Sequence, residues 1–538
     1  MPNVSGAHPD IPVSGQLPAP RGEPPLADPA AGPVVDAADH SLSESVAHGA
    51  RWMAISQGST QVLRFATNIV LAHLLVPADF GLIAIGMTVT MFLEQIRDLG
   101  TGATVIQRRE VSQTLLNTIF YLNAGMGIVL GALVFGAASP LAAVLGDAKG
   151  TLAQVSATHV LQAFAVITVI TSGANVHHAL LRRSMRFQAV GTIATASALI
   201  NAVVSVVLAA WGAGVWSIVI GLAAGNTVGA IAAWSSSGWR PGFTARLDDL
   251  RSIWKFASFL LLTNLVAFAL QQSDRVVVNR VLGAELLGIY AVALQITTYP
   301  LNTVTSALTE VLFPAFARRQ DDKQALRLAY VRANRVIALI TFPLMAGSAA
   351  VAPLLVPVVL GEKWRAAIPV LIALGPAGAI RSITANAGSL MLSQGHSRAT
   401  FLSNFAYSAL IVVGFIVGVQ WGLVGMCITY TVLIAVLTPP LWWVAFRHID
   451  LRLRDYAAAL LPVTAITLVM VGAVVAVRLV VPDSVPDAAT LVLQILVGAT
   501  VYLGLVVRLR PAAYVDAMKA IRRRRPLEEQ APIAHAAD

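Results

Sequence analysis

Charge is scarce in this chain: Asp, Glu, Lys and Arg make up 12% of its 538 residues, about half the share of roughly a quarter found in soluble domains. So few ionised groups cannot clothe a water-facing surface, and a mean hydropathy of +0.73 places most of the chain in lipid. Cysteine is almost absent. The single Cys427 excludes an intrachain disulfide and a cysteine-based metal site, and inside its apolar run it reads as packing. No Walker motif is present, so no nucleotide hydrolysis is expected, and no cofactor or metal is implied. The first 47 residues are rich in Pro, Ala, Gly and Asp and lack the basic start and apolar core of a secretory signal. They read as a disordered cytoplasmic tail, and the first membrane helix as uncleaved.

What is abundant is apolar runs of about 20 residues, the length that crosses a bilayer as a helix. Backbone in lipid must satisfy its own hydrogen bonds, so such runs read as helices rather than barrel strands. The fold class expected is all-α integral membrane, with about fourteen spans starting near residues 50, 80, 114, 153, 187, 213, 254, 285, 334, 366, 398, 422, 456 and 487. With the N-terminal tail in the cytoplasm, the loops on that side and the C-terminal tail hold 27 Lys and Arg, against 4 on the other side. Basic residues are retained on the cytoplasmic face, so both termini are expected there. The same dispersal assigns the net charge of +10 to anionic headgroups and topology rather than to nucleic acid.

The chain repeats itself. "ADFGLIA" (Ala78 to Ala84) follows the first span as "ELLGIYA" (Glu285 to Ala291) follows the seventh. "AWGAGVWSIVIG" from Ala210 is echoed by "QWGLVGMCITYT" from Gln420. The repeat implies two parallel six-helix lobes around a central cavity, N-lobe 48–250 and C-lobe 251–449, followed by a helix pair 450–510 and a basic tail 511–538.

Gln57, Gln61, Arg64 and Asn68 fall within about 60° of arc at 100° per residue, a polar stripe on the first span. Asn264, Gln271 and Arg275 repeat the spacing on span seven. An arginine near the bilayer centre costs about 2.5–3.5 kcal/mol on insertion scales, so it faces a partner or water. Arg64 lies roughly 20 Å in from Arg51 along the helix, beyond comfortable snorkelling. One reading pairs it with Glu94, Asp274 or Glu310. The other has Arg64, Arg275 and Arg381 line a cationic cavity that accepts phosphate or carboxylate through the planar guanidinium fork. Asp274, Glu94 and Glu310 are the candidates for ion coupling; His177 and His178 stand where they would join the cavity or act as interfacial anchors. Pro343, Pro353, Pro357, Pro369 and Pro376 allow kinks in spans nine and ten.

"LLVPADFGLIAIG" (Leu74 to Gly86), "DLGTGATVIQRRE" (Asp98 to Glu110) and "ALLRRSMRF" (Ala179 to Phe187), with "QQSDRVVVNRVLGAELLGIYAVA" (Gln271 to Ala293) and "VLFPAFARRQDD" (Val311 to Asp322), resemble the polysaccharide-transport, Wzx-like flippase branch of the multidrug/oligosaccharidyl-lipid/polysaccharide exporter superfamily. The resemblance covers about residues 48 to 510. It implies two lobes that open alternately to either side of a bacterial inner membrane. It also implies a polyprenyl-diphosphate-linked oligosaccharide as cargo, moved to the outer leaflet for exopolysaccharide, capsule or lipopolysaccharide assembly, with polysaccharide polymerase machinery downstream. The motifs are largely structural; the arginines rest on periodicity and depth. Two alternatives stand beside this reading. A cation-coupled multidrug exporter of the same superfamily would favour acidic residues at depth. A membrane polysaccharide polymerase or glycosyltransferase would need a large outer loop or an acidic metal motif, and the adjacent pairs Asp248-Asp249 and Asp321-Asp322 sit among basic residues. The chain is therefore not expected to be an enzyme.

Overall fold

A computed structural model describes residues 37–98, 101–108, 111–145, 151–244, 247–298, 322–482 and 484–522. Every regular element among them is helical. The first half comprises α1 (Ala37–Leu74), α2 (Pro77–Asp98), α3 (Thr101–Gln107), α4 (Gln113–Gly136), α5 (Ala138–Leu145), α6 (Thr151–Ser172), α7 (Asn175–Arg183), α8 (Phe187–Ala210) and α9 (Val215–Ser237). The second half comprises α10 (Leu247–Leu282), α11 (Ala284–Thr298), α12 (Lys323–Leu355), α13 (Ala367–Ser393), α14 (Ser397–Gly418) and α15 (Gly422–Phe446). Then come α16 (Leu453–Val480), α17 (Asp487–Leu509) and α18 (Ala512–Arg522).

The protein is thus an all-helical, multi-pass membrane protein. Among the described residues nine stretches are long and apolar enough to cross a bilayer, or ten if α6 and α7, bent by 42°, form one broken span. The stretch Arg398–Phe446 covers both α14 and α15, while α1, whose polar stripe lowers its hydropathy, is not among the nine. The expected number of fourteen is not established by this count.

Side-chain choice explains the packing of each half. Gly221, Gly225 and Gly229 stripe α9 at four-residue spacing, and a Cβ on any of them would collide with Ser197, Asn201 or Ser205 of α8. Small residues let helix backbones approach where lipid supplies no hydrophobic drive for association. On the far side of α8, α1 is held by polar side chains: the Ser56 hydroxyl donates to the Gly191 carbonyl at 2.8 Å, and Thr60 meets Thr195 at 3.3 Å. In the second half, the Thr341 hydroxyl of α12 donates to Ser382 Oγ of α13 at 2.8 Å. The pair α16 and α17 backs onto α12, where Tyr502 donates to the Leu339 carbonyl at 2.7 Å. Leu461, Leu468, Leu496 and Leu503 of this pair are left exposed, the pattern of a face turned to lipid.

The halves meet at the end of the bundle where α1 gives way to α2, called the distal end below. One buried cluster runs continuously from Leu71, Ala72 and Phe80 through Leu287 and Tyr290 to Trp364 and Leu374, so the core crosses from one half to the other there. Trp364 is fully buried; its indole N–H donates to the Ala72 carbonyl at 2.9 Å, and Phe80 meets it edge-on at 5.1 Å. Lys363 Nζ donates to the His73 carbonyl at 2.8 Å.

The sequence repeat becomes a physical contact at this seam. Gly81 of α2 lies against the backbone of Ala284 at the start of α11, and Gly288 of α11 lies against the backbone of Pro77 at the start of α2. In the repeat Gly81 corresponds to Gly288 and Pro77 to Ala284. Each glycine therefore touches the counterpart of the residue that touches the other, as an approximate two-fold axis between the halves requires.

Candidate functional site

Five helices of the second half, α10, α11, α13, α14 and α15, surround a cavity of about 400 Å³. Its polar lining comes from Gln271 and Asp274 on α10, Tyr290 on α11, Arg381 and Thr384 on α13, Asn404, Tyr407 and Ser408 on α14, and Tyr430 on α15. The two charged groups are treated differently. Asp274 is buried, and it accepts from the Tyr290 hydroxyl at 2.8 Å and from the Arg275 backbone N–H at 2.8 Å. Two donors satisfy its oxygens without any guanidinium. Arg381 sits near the middle of α13, donates one N–H to the Tyr430 hydroxyl at 3.2 Å, and is otherwise exposed into the cavity. No carboxylate lies within ion-pair distance of it among the described residues. The cavity thus presents a guanidinium with no direct ion-pair partner among the described residues, sharing the space with a carboxylate capped by other donors and flanked by phenol and amide groups, a set that receives an anion through charge-assisted hydrogen bonds.

The sequence-expected residues divide between places. Gln271, Asp274 and Arg381 share the cavity. Arg275, next to Asp274, is half-buried with its Nε unpartnered, and it is not part of the cavity lining; neither is the half-buried Asn264. On α1, Gln57 and Arg64 are exposed and Gln61 and Asn68 half-buried, and Arg64 makes no hydrogen bond or ion pair with a described residue. Asn68 lines a separate apolar cleft of about 40 Å³ with Phe65, Val292 and Val359. Glu94 is half-buried, and Glu310 lies outside the described residues.

Three tyrosines of the site, Tyr290, Tyr407 and Tyr430, escape a reading based on charge. The available signal was a phenol placed well inside each of three apolar runs. The histidines separate as well. His177 is fully buried against Phe120, Trp234 and Trp239, with Nδ1 at 2.7 Å from Ser237 Oγ, a packing role. His178 faces a second cavity, in the first half, with Arg97 and Arg182.

Comparison with known proteins agrees with this architecture. The sequence pattern of the family described as "Polysaccharide biosynthesis protein" matches residues 70–369. The lipopolysaccharide biosynthesis protein WzxC of Escherichia coli is 28% identical over 72% of this chain and 78% of its own length. The teichuronic acid biosynthesis protein TuaB of Bacillus subtilis is 26% identical over 88% of this chain and 97% of its own. Among solved structures, the lipid II flippase MurJ in an inward closed conformation superposes with a TM-score of 0.70 at 13% identity, covering 85% of this chain and 98% of that one. An inward-facing multidrug resistance MATE family transporter of the MOP superfamily gives 0.56 at 14% identity, over 73% and 94%. At these identities the structural likenesses establish the fold.

Proposed function

The chain belongs to the polysaccharide biosynthesis protein family, in the Wzx-like branch of the multidrug/oligosaccharidyl-lipid/polysaccharide exporter superfamily, and we propose that it is a flippase for a polyprenyl-diphosphate-linked oligosaccharide. It moves the cargo from the cytoplasmic to the outer leaflet of a bacterial inner membrane, with both its termini cytoplasmic, for exopolysaccharide, capsule or lipopolysaccharide assembly. The observation that carries the reading is the Arg381 guanidinium, which is exposed into the cavity, held by a phenol and without an ion-pair partner among the described residues.

The main barrier to crossing hydrocarbon is desolvation of the diphosphate. Arg381 offsets that cost with a fixed donor while the polyprenyl tail stays in the bilayer, and Arg64 on the exposed stripe of α1 and Arg275, beside the cavity rather than in its lining, add to it. Alternating access follows from rocking the halves about the crossing of α2 and α11: the distal seal of Trp364, Lys363, Gly81 and Gly288 opens as the opposite end closes. In the expected orientation the distal seal faces the outer leaflet, so this arrangement admits cargo from the cytoplasmic side. Coupling through Asp274 or Glu94 belongs to the same proposal, as does transfer of the flipped cargo to a polymerase.

A drug exporter for organic cations requires a carboxylate facing its cavity. Here the available carboxylate, Asp274, is engaged by Tyr290 and a backbone N–H, which favours the anionic cargo. The test is complementation of a deletion strain with Arg381→Ala, Arg64→Ala and Arg275→Ala. The expected result is normal membrane insertion, loss of exported polymer and accumulation of the lipid-linked intermediate on the cytoplasmic side. Undiminished export by all three variants refutes the assignment.

A further inference from the structure

The first half holds a cavity of its own, about 260 Å³, at the end opposite the distal seal and walled by α2, α6, α7, α8 and α9. Its position follows from the bend between α6 and α7. The 42° break turns α7 away from the axis of α6 and leaves a space that α8 and α9 roof. Into that space project the groups that give it a sign. Arg97, in the last turn of α2, is 7% exposed, well inside the protein. One of its terminal nitrogens donates to Thr171 Oγ1 at 2.9 Å and reaches the Thr168 carbonyl at 3.4 Å, but its Nε has no partner.

A guanidinium buried this far is costly unless a counter-charge compensates it. Glu94, one turn earlier, and the adjacent Asp98 are the nearest carboxylates in sequence, and neither lies within ion-pair distance. Asp98 is engaged elsewhere, accepting from Asn175 at 3.0 Å. Arg182, on the exposed side of α7, reaches the same cavity and has no hydrogen-bond or ion-pair partner among the described residues, and neither do the side chains of His178 and Asn226. No carboxylate lines the cavity. A buried unsatisfied Nε, a second guanidinium without a described partner and an amide converging on one cavity make the donor set of an anion site, and the planar forks suit phosphate oxygens.

We propose that this cavity binds a phosphate-bearing group, with Arg97 and Arg182 as its charge partners and Asn226 as a neutral donor. The site is distinct from the Arg381 cavity in the other half and does not depend on what that cavity carries. Phosphate reaches it from one of two sources, a diphosphate headgroup entering from solvent or the headgroup of an anionic lipid in the adjacent leaflet.

The experiment uses full-length protein carrying Arg381→Gln, so that the C-lobe cavity contributes no anion site. One arm titrates the detergent-solubilised protein with inorganic pyrophosphate by calorimetry. The other measures by native mass spectrometry the lipid retained from nanodiscs of phosphatidylglycerol or of phosphatidylcholine. The expected result is a saturable binding event in one arm that Arg182→Gln weakens at least tenfold and that Asn226→Ala also weakens. Pyrophosphate binding identifies the soluble-phosphate source, and selective retention of phosphatidylglycerol identifies the lipid. Arg182 is exposed and unpaired, so its variant folds even where Arg97→Gln fails to. Absence of binding in both arms, or binding unchanged by Arg182→Gln and Asn226→Ala together, overturns the proposal. Loss of export by Arg381→Ala bears only on the flippase reading, so the two fail separately.

Discussion

The crossing of α2 over α11 offers the sharpest test of the proposed rocking of the halves, because it involves backbone and cannot be relieved by a rotamer change. At Gly288 an added Cβ would overlap the Pro77 carbonyl and come within 2.9 Å of Gly81 N; at Gly81 it would overlap the carbonyl of Ala284. Alanine at either position therefore forces the helices apart, and small-to-large changes in a packed seam cost about 1–3 kcal/mol. That cost falls on the arrangement in which the distal ends are in contact and vanishes when they separate. The equilibrium then shifts toward the separated form by about 5- to 150-fold, the factor equivalent to such an energy. The assay is cross-linking between His73→Cys and Lys363→Cys, positions joined by a 2.8 Å hydrogen bond across the seam. The native Cys427 is fully buried and does not compete for the reagent. Gly288→Ala and Gly81→Ala should each slow cross-linking by a factor in that range. Because both act on one crossing, the double variant should fall short of the sum of the two. Parental cross-linking rates in both single variants would refute the argument that this crossing holds the seam.

Two further changes probe the surroundings. Trp364→Ala removes a fully buried side chain and its hydrogen bond to Ala72, so unfolding in detergent should register a loss of about 3–5 kcal/mol; Trp364→Phe keeps the edge contact to Phe80 and should lose only about 1 kcal/mol. His448, beyond the end of α15 and 3.9 Å from the His396 ring, is held below the usual histidine range by burial and by the nearby His396, Arg447 and Lys323. A depressed folded value means the unfolded chain takes up the proton first. Stability is then full above the unfolded value of about 6.5 and falls as pH drops through it toward the folded one. Thermal melts between neutral and mildly acidic pH should show that slope, flattened in His448→Gln; an identical slope in the variant removes His448 as its source.

The fold was largely readable because its constraints leave local marks. A close helix crossing demands glycine, so Gly81 and Gly288 stand at matching places in "ADFGLIA" and "ELLGIYA". The site was less readable because periodicity fixes an arc and not what faces it. Asp274 and Arg275 are neighbours on the polar side of α10, yet a rotation of about 100° between them puts the carboxylate in the cavity lining and leaves the guanidinium outside it. The partner of Arg381, Tyr430, lies 49 residues away on another helix, and no pattern within either helix announces the contact. Arg97 reads as a loop charge that retains the cytoplasmic side. Its burial depends on the break after Ser172, whose signal, Gly173, is one glycine among 40.

The distribution of ion pairs bears on the role proposed for the deep arginines. The ion pairs among the described residues are Lys323 with Asp450, Arg327 with Asp455, Arg332 and Arg335 with Asp516, and Arg365 with Glu362. The pairs of Lys323, Arg327 and Arg365 lie at helix ends or in connections, where water already screens charge and pairing contributes little, whereas Arg332 and Arg335, in the third and fourth turns of α12, share the largely buried Asp516 of α18. Arg275 and Arg381, well inside their helices, and Arg97, buried in the last turn of α2, have none among the described residues. If these were fixtures of the fold each would be expected to have the remedy that Arg335 has in Asp516, a carboxylate on a facing helix, because an unpaired buried charge is the costly case. Asp274 shows that the remedy is at hand on α10, yet its oxygens are occupied by Tyr290 and the Arg275 N–H. Leaving guanidinium groups open at depth while carboxylates are capped is what a protein requires if the missing partner arrives from outside and must also leave.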